Sequence, residues 1–326
     1  MILVTGGLGY IGSHVNKQLN KRGYETLVVD NLVHGHKEFA KWGKFEHCDL
    51  SDLERLRKIF QEYPIQAVLH FAAFAYVGES MSNPQKYYFN NVVNSINLLN
   101  AMRKVDVNTF IYSSSCTVYG VPETNPIVES FQTSPINTLG RTKITVEKIL
   151  EDYDRAYGFK SVALRYFNAS GADPDCEIGE WHEPETHIIP LTLDVALGKK
   201  EFVEIYGTDY STFDGTCIRD YIHVDDLAEA HILALEHLLN NGKSDVFNLG
   251  NENGYSVNQL IDMARSVTGN SIKSKHSPRR PGDPPDLRAS SEKIQKILDW
   301  KPKFNSLEVI LSTAWEWHKK LYNSYK

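Results

Sequence analysis

Three glycines, Gly6, Gly9 and Gly12, fall between a short apolar run ending at Val4 and a helix-type pattern opening at Tyr10. In that context Gly6 permits a tight turn, Gly9 lets the backbone approach a pyrophosphate, and Gly12 lets helix and strand pack closely. The helix start would present free N–H groups and partial positive charge to phosphates. Asp30 ends the next strand, where a carboxylate can accept bonds from a ribose and would repel a ribose phosphate, so the pattern predicts NAD rather than NADP. The competing reading is a glycine turn of some other α/β protein, with Asp30 as a helix cap. Asp49 follows a short strand and is placed either to bond an adenine amine or to cap a helix.

Trp181–His187 (WHEPETH) carries ligand-type side chains. Its spacing fits no zinc pattern on a helix, because Pro184 interrupts it. It reads as a loop, and no metal is expected. Cys48, Cys116, Cys176 and Cys217 are scattered and read as free thiols of a reducing compartment. There is no G-x-S-x-G elbow and no Walker loop.

The elements that must position these residues alternate. Strands are expected at Met1–Val4, Glu25–Val29, Ala67–Phe71, Thr109–Ser113 and Ser161–Tyr166, and helices at Tyr10–Lys21, Ser51–Gln61, Gln85–Arg103 and Thr142–Tyr157. Ser51 and Glu54 would form a capping box. This order predicts an α/β fold, a doubly wound parallel Rossmann sheet with a smaller C-terminal substrate lobe. Residues 1–168 would form the NAD-binding domain and 169–326 mainly the lobe. The chain would return to the first domain around 217–249, through a helix at Asp225–His237 and a strand at Val246–Leu249. Pro190–Leu197 reads as a helix and His276–Asp286 as extended or turning. Leu307–Leu321 reads as a terminal helix whose Trp315 and Trp317 pack. The 326 residues suffice for two cores, and 41% hydrophobic with 23% charged residues is an ordinary globular mix. A net charge of −6 argues against general nucleic-acid binding. No signal-peptide or membrane-spanning pattern is seen, which predicts a cytoplasmic protein.

TGGLGYIGSH (Thr5–His14), HFAA (His70–Ala73), SSSCTVYG (Ser113–Gly120) and RYFNASGA (Arg165–Ala172) resemble the extended short-chain dehydrogenases/reductases. DGTCIRDYIHVDDLA (Asp214–Ala228) and RRPGDPP (Arg279–Pro285) narrow the resemblance to UDP-glucose 4-epimerases and similar UDP-sugar 4-epimerases. It runs over nearly the whole chain in the expected order. The resemblance implies a cofactor set of Tyr10, Ile11, Asp30, Asn31, Asp49, Leu50, Phe71, Ala72, Asn90, Lys143 and Phe167. It implies a UDP-sugar set of Ser115, Asn168, His187, Arg219, Tyr221, Arg280 and Asp283, with His187 where the family often has Asn. Arg219 and Arg280 have the forked donors that suit a diphosphate; without the resemblance each would read as a solvated surface charge.

The reaction so implied removes a hydride from C4 of the sugar, turns the keto-sugar over and returns the hydride to the other face. Its base is normally a Tyr four residues before a Lys, whose ammonium favours the phenolate. Ser115 and Lys143 match. Leu139 stands where the Tyr should be, and Thr138 replaces a usual proline. Leucine cannot take a proton, so three readings stay open. Another group serves (Cys116, Thr117 or Tyr119), or the chain is an impaired homologue that still binds NAD and UDP-sugar, or the leucine was introduced to trap a complex. The sugar is also open. Leu287 lies where the family gates the space beside C2, and N-acetylhexosamine, pentose and uronic acid remain alternatives to glucose and galactose. UDP-sugar dehydratases are disfavoured by Cys116-Thr117, where they usually carry an Asp–Glu pair. Gln85–Arg103 and Thr142–Tyr157 carry apolar faces that either cover only their own sheet or, as in the folds the chain resembles, pair across a two-fold axis; the resemblance implies a homodimer.

Overall fold

A computed structural model describes residues 1–280 and 283–324. Pro281 and Gly282, inside the Arg279–Pro285 motif, lie outside the described residues. The main sheet has seven strands: β1 (Ile2–Thr5), β2 (Thr26–Asp30), β3 (Lys44–His47), β4 (Ala67–His70), β5 (Thr109–Ser115), β6 (Lys160–Tyr166) and, much later, β10 (Asp245–Leu249). Their order is β10-β6-β5-β4-β1-β2-β3, and each neighbouring pair is parallel. Strand order reverses between β1 and β4, which opens a crevice at their carboxyl ends.

Both faces of this sheet are covered, which is why its strands read as apolar runs rather than alternating ones. Ile2, Val4, Val28, Leu69 and Ile111 point to one face, under α1 (Tyr10–Lys21) and α8 (Val224–Leu239). Leu3, Leu27, Val68, Phe110 and Tyr112 point to the other. There they meet α2 (Leu53–Glu62), α5 (Asn94–Arg103) and α6 (Thr138–Tyr157).

Three local expectations are corrected. Asp52 caps α2, its carboxylate accepting Arg55 N–H at 2.9 Å, while Ser51 donates its own N–H to Asp49 Oδ1 at 2.8 Å. An ionised carboxylate outcompetes a hydroxyl for a helix N–H. The expected helix Gln85–Arg103 is continuous but not regular: α4 (Pro84–Tyr88) runs through a π-helical turn, Phe89–Val93, directly into α5, and a short α3 (Val77–Ser82) precedes it. Lastly, α6 starts one turn before Thr142, because the Asn137 side chain accepts Gly140 N–H at 2.8 Å and caps it there.

The chain leaves the sheet after β6. The second lobe is built on β9 (Ile218–His223), with β7 (Asn168–Ser170) and β13 (Asp286–Leu287) parallel to it and β11 (Gly254–Ser256) antiparallel. A separate pair joins β8 (Val203–Tyr206) and β12 (Ser274–Ser277). α7 (Ile188–Ala196), α9 (Val257–Thr268) and α11 (Leu307–Ser324) pack on one another around Leu193, Leu260 and Ile310. α10 (Glu292–Leu298) rests on β10. Trp315 and Trp317 are buried, and the Trp317 indole donates to the Glu180 carbonyl at 2.9 Å. All four cysteines are free.

Candidate active site

The crevice at β1 and β4 is where the glycines act. Gly6 has φ +68°, and a Cβ there would lie 2.5 Å from Ala72 N. A Cβ at Gly12 would lie 2.3 Å from Gly6 O. Gly9 differs, since its nearest neighbour would be Gly6 O at an ordinary 3.4 Å. Glycine at position 9 therefore serves nothing inside the chain; it leaves space above the α1 N-terminus, which no side chain caps. Free N–H groups under open space fit a pyrophosphate.

Asp30 is buried and accepts Leu8 N–H at 3.0 Å and Leu32 N–H at 2.8 Å. Burial lifts its carboxyl above the usual range, and those two N–H groups offset this only in part. Asp49 accepts Asn31 Nδ2 at 2.6 Å and Ser51 N–H. Burial opposes its charge, but these bonds prevail and hold it below the usual range. Gly6, Gly9, Asp30, Asn31, Asp49, Leu50, Phe71, Ala72 and Asn90 line one cleft. Asn90 reaches it from the π-helical turn.

The same cleft is lined by His34, Gly35, Phe74 and Asn94, which sequence reasoning missed. Gly35 was readable: a Cβ there would lie 2.6 Å from Asp30 Oδ1, so a glycine shortly after the strand-end Asp is required. Tyr10, Ile11, Gly12, Lys143 and Phe167 stand outside that lining. The Tyr10 hydroxyl donates to Gly171 O at 2.6 Å, and Ile11 packs on the core under α1.

Ser115 ends β5, where its Oγ accepts Thr117 N–H at 3.2 Å and bonds Thr117 Oγ1 at 3.0 Å. A Cβ at Gly140 would lie 2.4 Å from Thr117 O, so the start of α6 sits directly on this turn. That contact places Leu139 and Lys143 beside it. Leu139 is 4% exposed, and its N–H donates to Ser80 Oγ at 3.2 Å. Lys143 Nζ donates to Ser113 O at 2.6 Å, and burial brings its pKa down to about 8, with Glu147 opposing the fall.

The alternative bases fare poorly. Burial pushes the Cys116 thiol up to about 12. Tyr119 is buried, donates to Asn248 Oδ1 at 2.7 Å and accepts from Arg165 Nη1 at 2.9 Å; burial pushes it up to about 12 as well. It belongs to a buried network in which Arg165 pairs with Glu147. Thr117 is neutral and turned toward Ser115.

In the second lobe Asn168 and Tyr221 are register partners across β7 and β9. Asn168 Nδ2 donates to Asp220 O at 2.9 Å, while the Tyr221 ring lies in the lobe core. Arg219 is ion-paired with Asp283, whose N–H donates to Arg280 O at 3.3 Å. The exposed Arg280 guanidinium lies 4.0 Å from the centre of the Tyr206 ring. His187 stands at the N-cap position of α7 without a side-chain cap bond, its Nδ1 facing Glu180. Leu287 and Cys116 both pack against a cluster of Val118, Tyr119, Ile127, Phe167 and Ala289, so residues of the lobe and of the turn carrying Ser115 share one apolar core.

A profile of the NAD dependent epimerase/dehydratase family matches residues 2–250. The chain is 50% identical over 324 residues to the UDP-glucose 4-epimerase of Halalkalibacterium halodurans, covering 99% of this chain and 97% of that one. It belongs to the UDP-glucose 4-epimerase family. Solved members superpose closely. The Brucella ovis enzyme in complex with NAD matches with a TM-score of 0.94 at 48% identity, covering 96% of this chain and 97% of that one. The Bifidobacterium longum enzyme with NAD+ and UDP matches at 0.93 and 36%, covering 99% of each chain. Epimerase-family membership places the glycine crevice and the Arg219–Asp283 pair in a fold whose other members hold those ligands.

Proposed function

We propose that this chain is an NAD-dependent UDP-sugar 4-epimerase that interconverts UDP-glucose and UDP-galactose. The observation that carries the reading is the one apolar cluster of Val118, Ile127, Phe167 and Ala289, on which Leu287 of the second lobe and Cys116 of the Ser115 turn both pack. NAD, when bound, would supply the acceptor and donor of the C4 hydride, and with Leu139 in the base position the C4 hydroxyl proton would pass to solvent water and return from it. Gly6, Gly9 and Gly12 with the α1 N-terminus hold its pyrophosphate, Asp30 its ribose, and Asp49 its adenine end. Arg219, Arg280, Asn168, His187, Tyr221 and Asp283 hold the UDP-sugar. Ser115 orients the C4 hydroxyl, and Lys143 keeps positive charge beside it. Residues 1–168 form the cofactor domain and 169–326 mainly the substrate lobe.

Leu139 supports a second reading, an impaired homologue that binds both ligands. Losing a general base costs about 10²–10⁴-fold, so the natural chain turns over slowly. Among the described residues no helix is long and apolar enough to cross a membrane; a cytoplasmic location is part of the proposal. So is a homodimer, favoured by exposed Phe89, Val93 and Tyr157 on the helices expected to pair. The test is NMR of the purified chain with NAD against a panel of UDP-sugars, with mass measurement of any co-purifying nucleotide. UDP-glucose and UDP-galactose interconverting faster than the N-acetylhexosamine, pentose or uronic acid pairs supports the proposal, and faster turnover of another pair replaces its substrate.

A further inference from the structure

We infer that the loop from Glu180 to His187 is a divalent-cation site of zinc type, independent of the epimerase reading. Glu180, His182, Glu185 and His187 each turn one ligand atom toward a common centre, and these four atoms all lie within 4.8 Å of one another. His187 Nδ1 is 2.5 Å from Glu180 Oε1 and 3.6 Å from Glu185 Oε1. His182 Nδ1 is 3.3 Å from Glu180 Oε1 and 3.6 Å from Glu185 Oε2. Four ligands about 2.0–2.1 Å from a zinc ion stand about 3.3 Å apart at the corners of a tetrahedron. The His–Glu pairs span 2.5–3.6 Å, counting either oxygen of Glu185, so a small adjustment of side chains reaches that spacing.

The donor chemistry agrees. Two imidazoles and two carboxylates are a zinc-type set, and two carboxylates neutralise a dication. Two features distinguish the cluster from a solvated charge patch. Glu180 is 5% exposed and has both imidazoles against its carboxylate, so a buried negative charge is already surrounded by ligand nitrogens. His182 Nδ1 is buried and makes no hydrogen bond of good geometry, although it faces this carboxylate. A ligand nitrogen aimed at a carboxylate but outside hydrogen-bond geometry is what a metal between them would complete. Pro184 keeps the segment from being helical, and it is the loop path, not i,i+4 spacing, that brings the two histidines together.

The surroundings indicate what the ion would do. The His182 ring stands edge-on to Tyr10, in the first turn of α1, with centroids 6.1 Å apart. His187 stands at the N-cap position of α7 in the other lobe, and the Glu180 carbonyl is held by Trp317 of α11. A cation here ties the phosphate-binding helix to the substrate lobe. It also fixes Nδ1 of His187, leaving Nε2 as that ring's only nitrogen for a UDP-sugar.

The test uses the full chain, stripped with a chelator and dialysed against zinc chloride alone. The inference expects about one zinc per chain, a raised melting temperature with zinc, and affinity about a hundredfold weaker in the double variant His182→Gln, Glu185→Gln. Cobalt(II) titration of the natural chain supplies a readout that needs no variant. Strong visible absorption of tetrahedral cobalt, bleached by zinc, supports the site. Zinc uptake equal in the natural chain and the folded variant, or cobalt that keeps its pale octahedral spectrum, overturns it. Neither result touches the epimerase reading, which is judged by sugar turnover.

Discussion

Leu139 and Lys143 lie one helical turn apart at the start of α6, the leucine 4% exposed and the lysine bonded through Nζ to the Ser113 carbonyl at 2.6 Å. Residues four apart share a helix face, and in the proposed epimerase the leucine stands at the position where the family resemblance expects a phenol. The ammonium is thus kept beside a position with nothing to deprotonate.

Restoring the phenol should restore the rate. Leu139→Tyr is expected to raise UDP-galactose epimerisation at least about tenfold, out of the 10²–10⁴ that a general base supplies. A coupled assay on the two purified proteins checks this. Equal rates would show that the missing phenol is not what limits turnover.

Gly6 tolerates no side chain. At φ +68° with Ala72 N 2.5 Å from the added carbon, Gly6→Ala should cost about 1–3 kcal/mol and reduce the NAD that co-purifies. Thermal melting and nucleotide release after denaturation measure both effects. Gly9→Ala is the contrast: no protein atom would lie closer than 3.4 Å, so it should keep its melting temperature in the cofactor-free state and lose NAD.

Lys143 makes stability depend on pH in a defined direction. Its folded pKa is lowered from 10.5 to about 8, chiefly by burial. Between those values the unfolded chain binds a proton that the folded chain does not, so stability rises with pH through that window. Below it the penalty is fully present, at most about 3 kcal/mol. Lys143→Met should therefore be more stable than the natural cofactor-free chain at pH 7, with the advantage vanishing by about pH 10.5. Urea melts across the range check it, and parallel pH profiles for the two chains would count against it.

Arg219 is expected to grip UDP through its fork rather than its charge alone. Arg219→Lys retains the cation beside Asp283 but loses the bidentate geometry. Calorimetry should show UDP binding about tenfold weaker, with NAD content unchanged. Unaltered UDP affinity would remove Arg219 from the site.

The parallel sheet and the glycine crevice were legible because each signal was local: apolar runs, a glycine triplet, an acid at the next strand end. Asp30, Asn31, Asp49 and Asn90 reach one cleft as the resemblance implied. The misses arose where local pattern gave way to competition or to long-range contact. Asp52 took the α2 cap from Ser51 because a neighbouring carboxylate is the better acceptor. The π-helical turn at Phe89–Val93 has no apolar period of its own and lies inside a continuous helical run, so the pattern shows only a helix. α9 carries a readable start signal, since Ser256 and Gln259 form a capping box. The convergence of His182 and His187 was invisible because a loop path, not a helical spacing, creates it.

The most direct test of the epimerase account follows the hydrogen at C4. UDP-galactose deuterated at that carbon, incubated with the natural chain and NAD, should give UDP-glucose that retains the deuterium at C4, because the same hydride leaves and returns. UDP-glucose with the label exchanged for solvent hydrogen, or no UDP-glucose from either the natural chain or Leu139→Tyr, would contradict it.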